Sequence, residues 1–433
     1  MNQTSPCWQG GLPEGWLLVT VDRLPAWMLS PFGATWASNP TICQLASAGL
    51  TCDRVLAGTT HSSQTLEELA MGYSTAWKDT AAGPLAAAEA RGWNVTVVTD
   101  AGDQFSGLSS QFSNMNVVSI APQRLSVTVD EEEKSSCGRV VSAAVHEFEK
   151  GKTDLLWCHL GSLGVSWDAP QVWRDGFFDE DDPPPGNSAE IPEFVVTQET
   201  DPDRVSAVRQ IFAGEIAHMD EWLGRLVTSV SARWQRFGML LLGLRGLPLG
   251  VHGRVGIGPD EPAPYTELSH LPAILVDPTD RQASQRYGGL LMPADLGVTV
   301  GELIVGEECA NTFSDQLEKL PQGVGRSIQR LFGDDAGLWR RGFRDRVCSV
   351  GDGGRALTVA GWSLVEPRDH QPKLFMKPDD FFDLSDVADR SREVTEALAD
   401  CLDALERQVS ESGSEAVTDP LPKVLVDEGL NRR

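Results

Sequence analysis

The feature that narrows the fold most is a set of short, nearly continuous apolar runs separated by stretches of helical character. The runs are WLLVTVD (16–22), WNVTVVTD (93–100), TDLLWCHLG (153–161), FGMLLLGL (237–244) and PAILVDP (272–278). Runs of this length without polar alternation mark strands buried on both faces, the pattern of a parallel sheet covered by helices on either side. The intervening segments read as those helices. NPTICQLASAG (39–49) has Asn39 as N-cap, Pro40 in the first turn and Gly49 as C-cap. PLAAAEARG (84–92), CGRVVSAAVHEFEKG (137–151) and a long helix through 201–230 continue the alternation. The expected class is α/β: a doubly wound, mostly parallel sheet flanked by helices.

After about residue 335 the rhythm changes. RALTVAGWSLVEP (355–367) and PKLFMKP (372–378) read as antiparallel strands ahead of a helix from about Asp386 to Gln408. The expected division is an α/β domain over 1–334, a small C-terminal α+β subdomain over 335–410, and a loosely ordered tail over 411–433. Two segments read as irregular: VDEEEK (129–134), a solvated charge run, and WRDGFFDEDDPPPGNSAEIPEF (173–194), an exposed loop over the C-terminal edge of the sheet.

Composition excludes several functions. With 36 basic against 62 acidic residues and a formal charge of −26, the chain lacks the clustered cations that a phosphate backbone requires, so nucleic acid is not an expected partner. No apolar run reaches the length of a membrane span, and the first residues show no secretory leader, so a soluble, cytoplasmic protein is expected. The eight cysteines are scattered without metal or redox spacing, as reduced, mostly buried thiols are.

The stretch LLLGLRGLPLGVHGRVG (240–256) ends a buried strand in Gly243, Leu244 and Arg245 and continues as a glycine-punctuated loop carrying His252. Open α/β sheets keep their ligands at such strand ends. Yet no carboxylate and no nucleophile stands here.

In four segments, in order, the chain resembles the sulfatase family of the alkaline phosphatase superfamily. LLVTVDRLPAWMLSPFGATWASNPTICQLASAGLTCDRV is similar to that family's opening strand, loop and helix. TDLLWCHLGSLGVSWDAP resembles its central strand and substrate loop. LLLGLRGLPLGVHGRVGIGPDEPAPYTELSHLPAILVDP resembles the metal-site strand with its glycine loop and Tyr-x-Glu segment. The residues from 355 onward resemble its C-terminal subdomain.

The resemblance implies a sulfuric or phosphoric ester hydrolase with a divalent cation, but the reactive positions are replaced. Where the family ends its first strand in paired acids, this chain has Asp22 and Arg23. Where the later strand should end in Asp and then His or Asn, it has Leu244 and Arg245. Ser62 falls on the nucleophile position, with Gln64 and Leu66 in place of the signature's Pro and Arg. Gly164 falls on the substrate-loop histidine and Ile257 on the sulfate-contacting lysine. Asp22 is thus the only retained ligand position, and tight calcium or magnesium binding is not expected from it.

The expected arrangement is an Asp22–Arg245 ion pair in the vacated cation position. Arg23 and Arg245 are candidates for holding a small anion, aided by backbone amides at Gly246, Gly250 and Gly253. His252 reads as a loop histidine bonding backbone carbonyls, His159 as a core residue, and His218 and Asp220 as lying on different faces of one helix. KPDDFFDLSD (377–386) reads as a turn before a helix. Two functions stay open at this point. One is a catalytically degenerate, metal-free protein with an anion-binding or interaction role, taking a small anion or a sulfated or phosphorylated ligand or partnering an active relative. The other is an active sulfuric or phosphoric ester hydrolase using Ser62, Asp22 and His252 in a site rebuilt around arginine, with calcium or magnesium as the cofactor if any is used.

Overall fold

The computed structural model describes residues 13–73, 83–258, 261–279, 281–306, 323–329, 344–412 and 419–430. The elements that position the site run in chain order as β1 (Gly15–Val21), α1 (Pro40–Ala48), β2 (Leu50–Leu56), α2 (Ser62–Met71), α3 (Pro84–Ala90), β3 (Val95–Thr99), α4 (Ser106–Gln111) and β4 (Met115–Ser119). They continue as α5 (Ser136–Glu149), β5 (Leu155–Leu160), α6 (Gln171–Asp175), β6 (Phe194–Val195), α7 (Pro202–Arg233), β7 (Phe237–Gly243), β8 (Arg254–Val255), α8 (Thr266–Ser269), β9 (His270–Val276), β10 (Gln285–Leu291) and α9 (Pro293–Val305). A second group follows: β11 (Arg346–Gly351), β12 (Gly354–Val359), β13 (Trp362–Pro367), β14 (Lys373–Met376), α10 (Arg392–Ser412) and α11 (Lys423–Leu430).

The main sheet has eight strands in the order β10-β2-β9-β7-β1-β5-β3-β4. All neighbours are parallel except β9, which runs antiparallel to both β2 and β7. Every residue of β1 is buried, and its side chains alternate between two apolar clusters. Trp16 and Leu18 face the layer of α2, α3 and α9; Leu17, Val19 and Val21 face the layer of α1, α5 and α7. Two buried faces explain why β1, β3, β5, β7 and β9 read as unbroken apolar runs. No helix among the described residues is long and apolar enough to cross a membrane.

The second sheet, β11-β12-β13-β14, is antiparallel and packs its own apolar cluster against α10. It meets the main sheet at the turn before α2, where Val350 N–H donates to Gly58 O and Thr60 N–H to Val350 O.

Some local expectations are corrected. The final long helix begins at Arg392 rather than near Asp386; the Asp386 carboxylate instead accepts the N–H groups of Leu374 and Ala388 in a turn. Within the segment expected to be loose, Lys423–Leu430 is helical and buries Leu425 against the second sheet. The acidic loop from 173 is anchored where it leaves α6. Arg174 is fully buried and donates to Gly186 O, Ser188 O, Trp167 O and the Glu215 carboxylate. Asn39 precedes α1, but its side chain accepts the N–H of Ser30; the helix is capped from α7 by Asp220, which accepts from Thr41 and Ile42. Cys7 and Cys309 lie outside the described residues.

Candidate functional site at the strand ends

Strand register brings the candidate residues to one level. Val21 pairs with Leu160 on one side and Gly243 on the other. Asp22 therefore lies between Gly161 and Leu244, its N–H donating to Leu160 O while Leu244 N–H donates to Val21 O. Arg245 Nε donates to Asp22 Oδ1 at 2.8 Å and Nη2 to Asp22 Oδ2 at 3.1 Å. This is the parallel, two-bond geometry that makes Arg–carboxylate pairs directional. Burial pushes the Asp22 carboxyl up, but the charge and hydrogen bonds of Arg245, helped by Arg23, hold it below the ordinary carboxylate range. Leu244 beside it is fully buried.

A divalent cation of the kind the resemblance implies does not fit this set. A hard cation takes about six to eight oxygens. The two Asp22 oxygens already accept from a guanidinium, and the next residue along β7 presents hydrocarbon.

Arg23 differs from Arg245. Its backbone sits in the left-handed region at φ 59°, where a residue with a Cβ is held at a cost of about 1–2 kcal/mol. Its side chain is half-buried, and its Nε is enclosed without a hydrogen-bond partner among the described residues. Gly164 lies directly over it: a Cβ there would be 3.1 Å from both Arg23 Nε and Asp22 Oδ2.

The glycine loop is held from beneath by the Tyr-x-Glu segment. Glu267, buried, accepts backbone N–H groups from Leu249, Val251 and His252, yet burial still raises its carboxyl to about 7. Tyr265 stacks on the His252 ring at 3.8 Å, and His252 Nε2 bonds Phe382 O at 2.9 Å. Two of the three loop amides expected to face an anion are already used: Gly246 N–H donates to Leu268 O and Gly250 N–H to Arg254 O. Glycine is required at 246 for a different reason, since a Cβ would stand 2.0 Å from Glu267 O.

Ser62 is the first residue of α2, with His61 preceding it as N-cap. Arg245 Nη1 approaches Thr60 O at 3.5 Å, which brings the start of α2 beside the ion pair. His252 is tied into the loop, so the structure gives the pair Ser62 and His252 no common hydrogen bond among the described contacts. His159 is buried on β5, its Nδ1 bonded to Thr20 Oγ1, which also accepts the Trp157 indole N–H. Burial lowers its pKa to about 4. His218 bonds Ser135 Oγ, away from Asp220. Lys377 holds the 377–386 turn together through Thr266 Oγ1 and Asp380 O.

Two features escaped the sequence reading. Asp100, at the end of β3, is buried and accepts the Gly161 N–H, while its Oδ2 has no partner among the described residues; burial raises its pKa to about 6. Its signal was the same as that of Asp22, an acid closing an apolar run. An open cavity of about 860 Å³ also lies between the glycine loop and the second sheet, lined in part by His252, Arg254, Glu261, Tyr265, Arg368 and Lys373.

No protein-family model matches the sequence, and no curated protein matches it. Solved structures match over nearly the whole chain. A phosphonate monoester hydrolase of Agrobacterium radiobacter superposes with a TM-score of 0.67 at 14% identity, covering 92% of this chain and 96% of that one. This is the sulfatase and phosphonate monoester hydrolase fold. A protein solved in complex with its substrate D-glucosamine-2-N,6-O-disulfate gives 0.69 at 12% identity over 94% and 99%. The phosphonate monoester hydrolase from Silicibacter pomeroyi gives 0.66 at 13% over 93% and 96%. At such identities the sulfatase-like fold is common ground and the side chains at the strand ends are this chain's own.

Proposed function

We propose that this sulfatase-like protein is catalytically degenerate: the Arg245 guanidinium replaces the divalent cation, and the site binds a sulfated or phosphorylated ligand without cleaving it. The observation that carries the reading is the two-bond pair between Asp22 and Arg245 with buried Leu244 alongside. A guanidinium is a fixed charge with donors only. It coordinates no ligand oxygen and supplies no Lewis-acid activation of a hydroxyl, so the strand-end position gives Ser62 none of the help a metal there would.

Arg23 supports the anion-binding half of the reading. Its enclosed Nε lacks a protein acceptor among the described residues, and glycine at 164 keeps a side chain off it, since a Cβ there would stand 3.1 Å from that atom. A tetrahedral oxyanion supplies charge-assisted acceptors of the required kind. Because one protein of this fold takes D-glucosamine-2-N,6-O-disulfate as its substrate, a sulfated sugar is the first ligand to test. Six unpaired cysteines among the described residues support a reducing, cytoplasmic setting.

The test combines turnover and binding. Purified protein is expected to show no hydrolysis of aryl sulfates, phosphate monoesters or phosphonate monoesters above background, with or without calcium. Sulfate and glucosamine sulfates are expected to raise its melting temperature, an effect lost in Arg23→Ala. Hydrolysis that rises with calcium and disappears in Asp22→Ala would overturn the reading and make Ser62 the nucleophile to examine.

A further inference from the structure

Three segments far apart in the chain place chemistry-bearing side chains together at the rim of the cavity. His61 precedes α2 and does not use its imidazole to cap the helix. Glu261 lies in the loop ahead of α8. Asp352 occupies the tip of the β11–β12 hairpin. The tip is seated by close backbone packing: a Cβ at Gly351 would stand 2.0 Å from Thr60 Oγ1, and one at Gly353 would stand 2.1 Å from Glu261 O. Asp352 N–H donates to Glu261 Oε2 at 3.1 Å, which orients that carboxylate.

The three side chains converge. His61 Nε2 lies 3.9 Å from Glu261 Oε2 and 3.8 Å from Asp352 Oδ2. Among the described residues this is the one group of three His, Cys, Asp or Glu residues whose ligand atoms all fall within 4.8 Å of one another. An imidazole nitrogen with two carboxylate oxygens suits a borderline first-row dication, whereas calcium and magnesium prefer all-oxygen sets. Tetrahedral zinc with bonds of about 2.0–2.2 Å holds its donors roughly 3.4 Å apart. The gaps at His61, 3.8 and 3.9 Å, need only a small inward movement, and Asp352 is mostly exposed and able to make it.

We propose that His61, Glu261 and Asp352 form a Zn²⁺ site with its fourth position open to solvent, one residue from Ser62. Two carboxylates and a neutral imidazole balance a dication. The bound ion joins the second sheet's hairpin to the start of α2. Arg245 is the neighbouring fixed cation that Glu261 feels; its Nε and Nη2 point at Asp22. The zinc site shares no ligand with the Asp22–Arg245 pair and stands whether or not that pair excludes calcium.

Cobalt is the probe, because tetrahedral Co²⁺ absorbs in the visible. The full chain, stripped with chelator, is titrated at about pH 7.5, because protons compete with a metal for its ligands at lower pH. The expected result is one equivalent of Co²⁺ with tetrahedral visible bands, displaced by Zn²⁺. In His61→Ala and Glu261→Gln, each checked for folding by circular dichroism, affinity is expected to fall by roughly tenfold or more, since even outer-shell partners are worth about that. Absence of saturable Co²⁺ and Zn²⁺ binding in the folded protein would overturn the proposal. So would stoichiometric binding that survives in both variants.

Discussion

Two neighbouring groups of carboxylates are neutralised in opposite ways. At the end of β1 the Asp22 carboxylate is buried and held by two hydrogen bonds from a permanent cation of the protein itself. At the cavity rim, Glu261 and Asp352 face a half-exposed imidazole across nearly 4 Å. The first arrangement is closed to exchange, because admitting an ion requires expelling a guanidinium that holds both carboxylate oxygens by hydrogen bonds. The second is open, because its imidazole nitrogen and two carboxylates are all potential ligand groups and Asp352 is mostly exposed. The fold thus retains a strand-end position suited to a charge, and the side chains decide whether that charge is built in or borrowed.

The largest effect that separates the two is expected at Asp22. Asp22→Ala leaves a buried guanidinium unpaired and is expected to cost about 3–5 kcal/mol in urea unfolding at neutral pH. The paired change Asp22→Leu with Arg245→Met is expected to recover most of that loss. Because the folded pKa of Asp22 lies below its unfolded value, its contribution is present above about pH 4 and fades as pH falls through the folded pKa. A small loss in the alanine variant would break the comparison by showing that the pair contributes little.

The next effect concerns the loop beneath the pair. Glu267 ionises near pH 7 when folded, against an ordinary 4.5. In the interval between those values the unfolded chain releases its proton first, so this group costs the native state progressively more as pH rises. Relative to wild type, Glu267→Gln should therefore gain up to about 3 kcal/mol between pH 5 and pH 7.5, measured by chemical denaturation at both ends. A pH-independent difference would mean that the carboxyl is not burdened by burial.

Smaller still is the effect of releasing Arg23. Arg23→Gly relieves a left-handed backbone and should add about 1 kcal/mol of stability while removing protection by sulfate. Stability without loss of sulfate protection would sharpen the comparison by moving the anion to Arg245. At the open cluster, Asp352→Ala in metal-free protein is expected to change stability by less than about 1 kcal/mol, as for exposed pairs.

How far these features were legible depends on burial. β1, β3, β5, β7 and β9 announce themselves because both faces are covered. β2 (LTCDRVL) and β10 (QRYGGLL) do not, because Asp53 and Arg54 interrupt the first, and β10 is an edge strand exposing Gln285 and Arg286. An Asp53–Arg286 ion pair, which only the register creates, spans the two paired strands. The exposed edge strand β4 was missed for the same reason. Asp22 and Arg245 could be placed together because both sit at the end of a buried strand, Asp22 directly after β1 and Arg245 after β7 with only Leu244 between. His61, Glu261 and Asp352 could not, since no spacing motif links them and only the docking of the second sheet makes them neighbours. The acidic segment after Asp175 concealed its anchor, because an arginine paired at long range to Glu215 looks in sequence like one more surface charge.

The central claim is that a protein cation occupies the position where a divalent ion would sit. Calcium titration of chelator-treated protein by calorimetry at neutral pH, run beside Asp22→Asn, tests it most directly. Wild type and variant are expected to show the same absence of stoichiometric calcium uptake. A single tight calcium site present in wild type and lost in Asp22→Asn would contradict it.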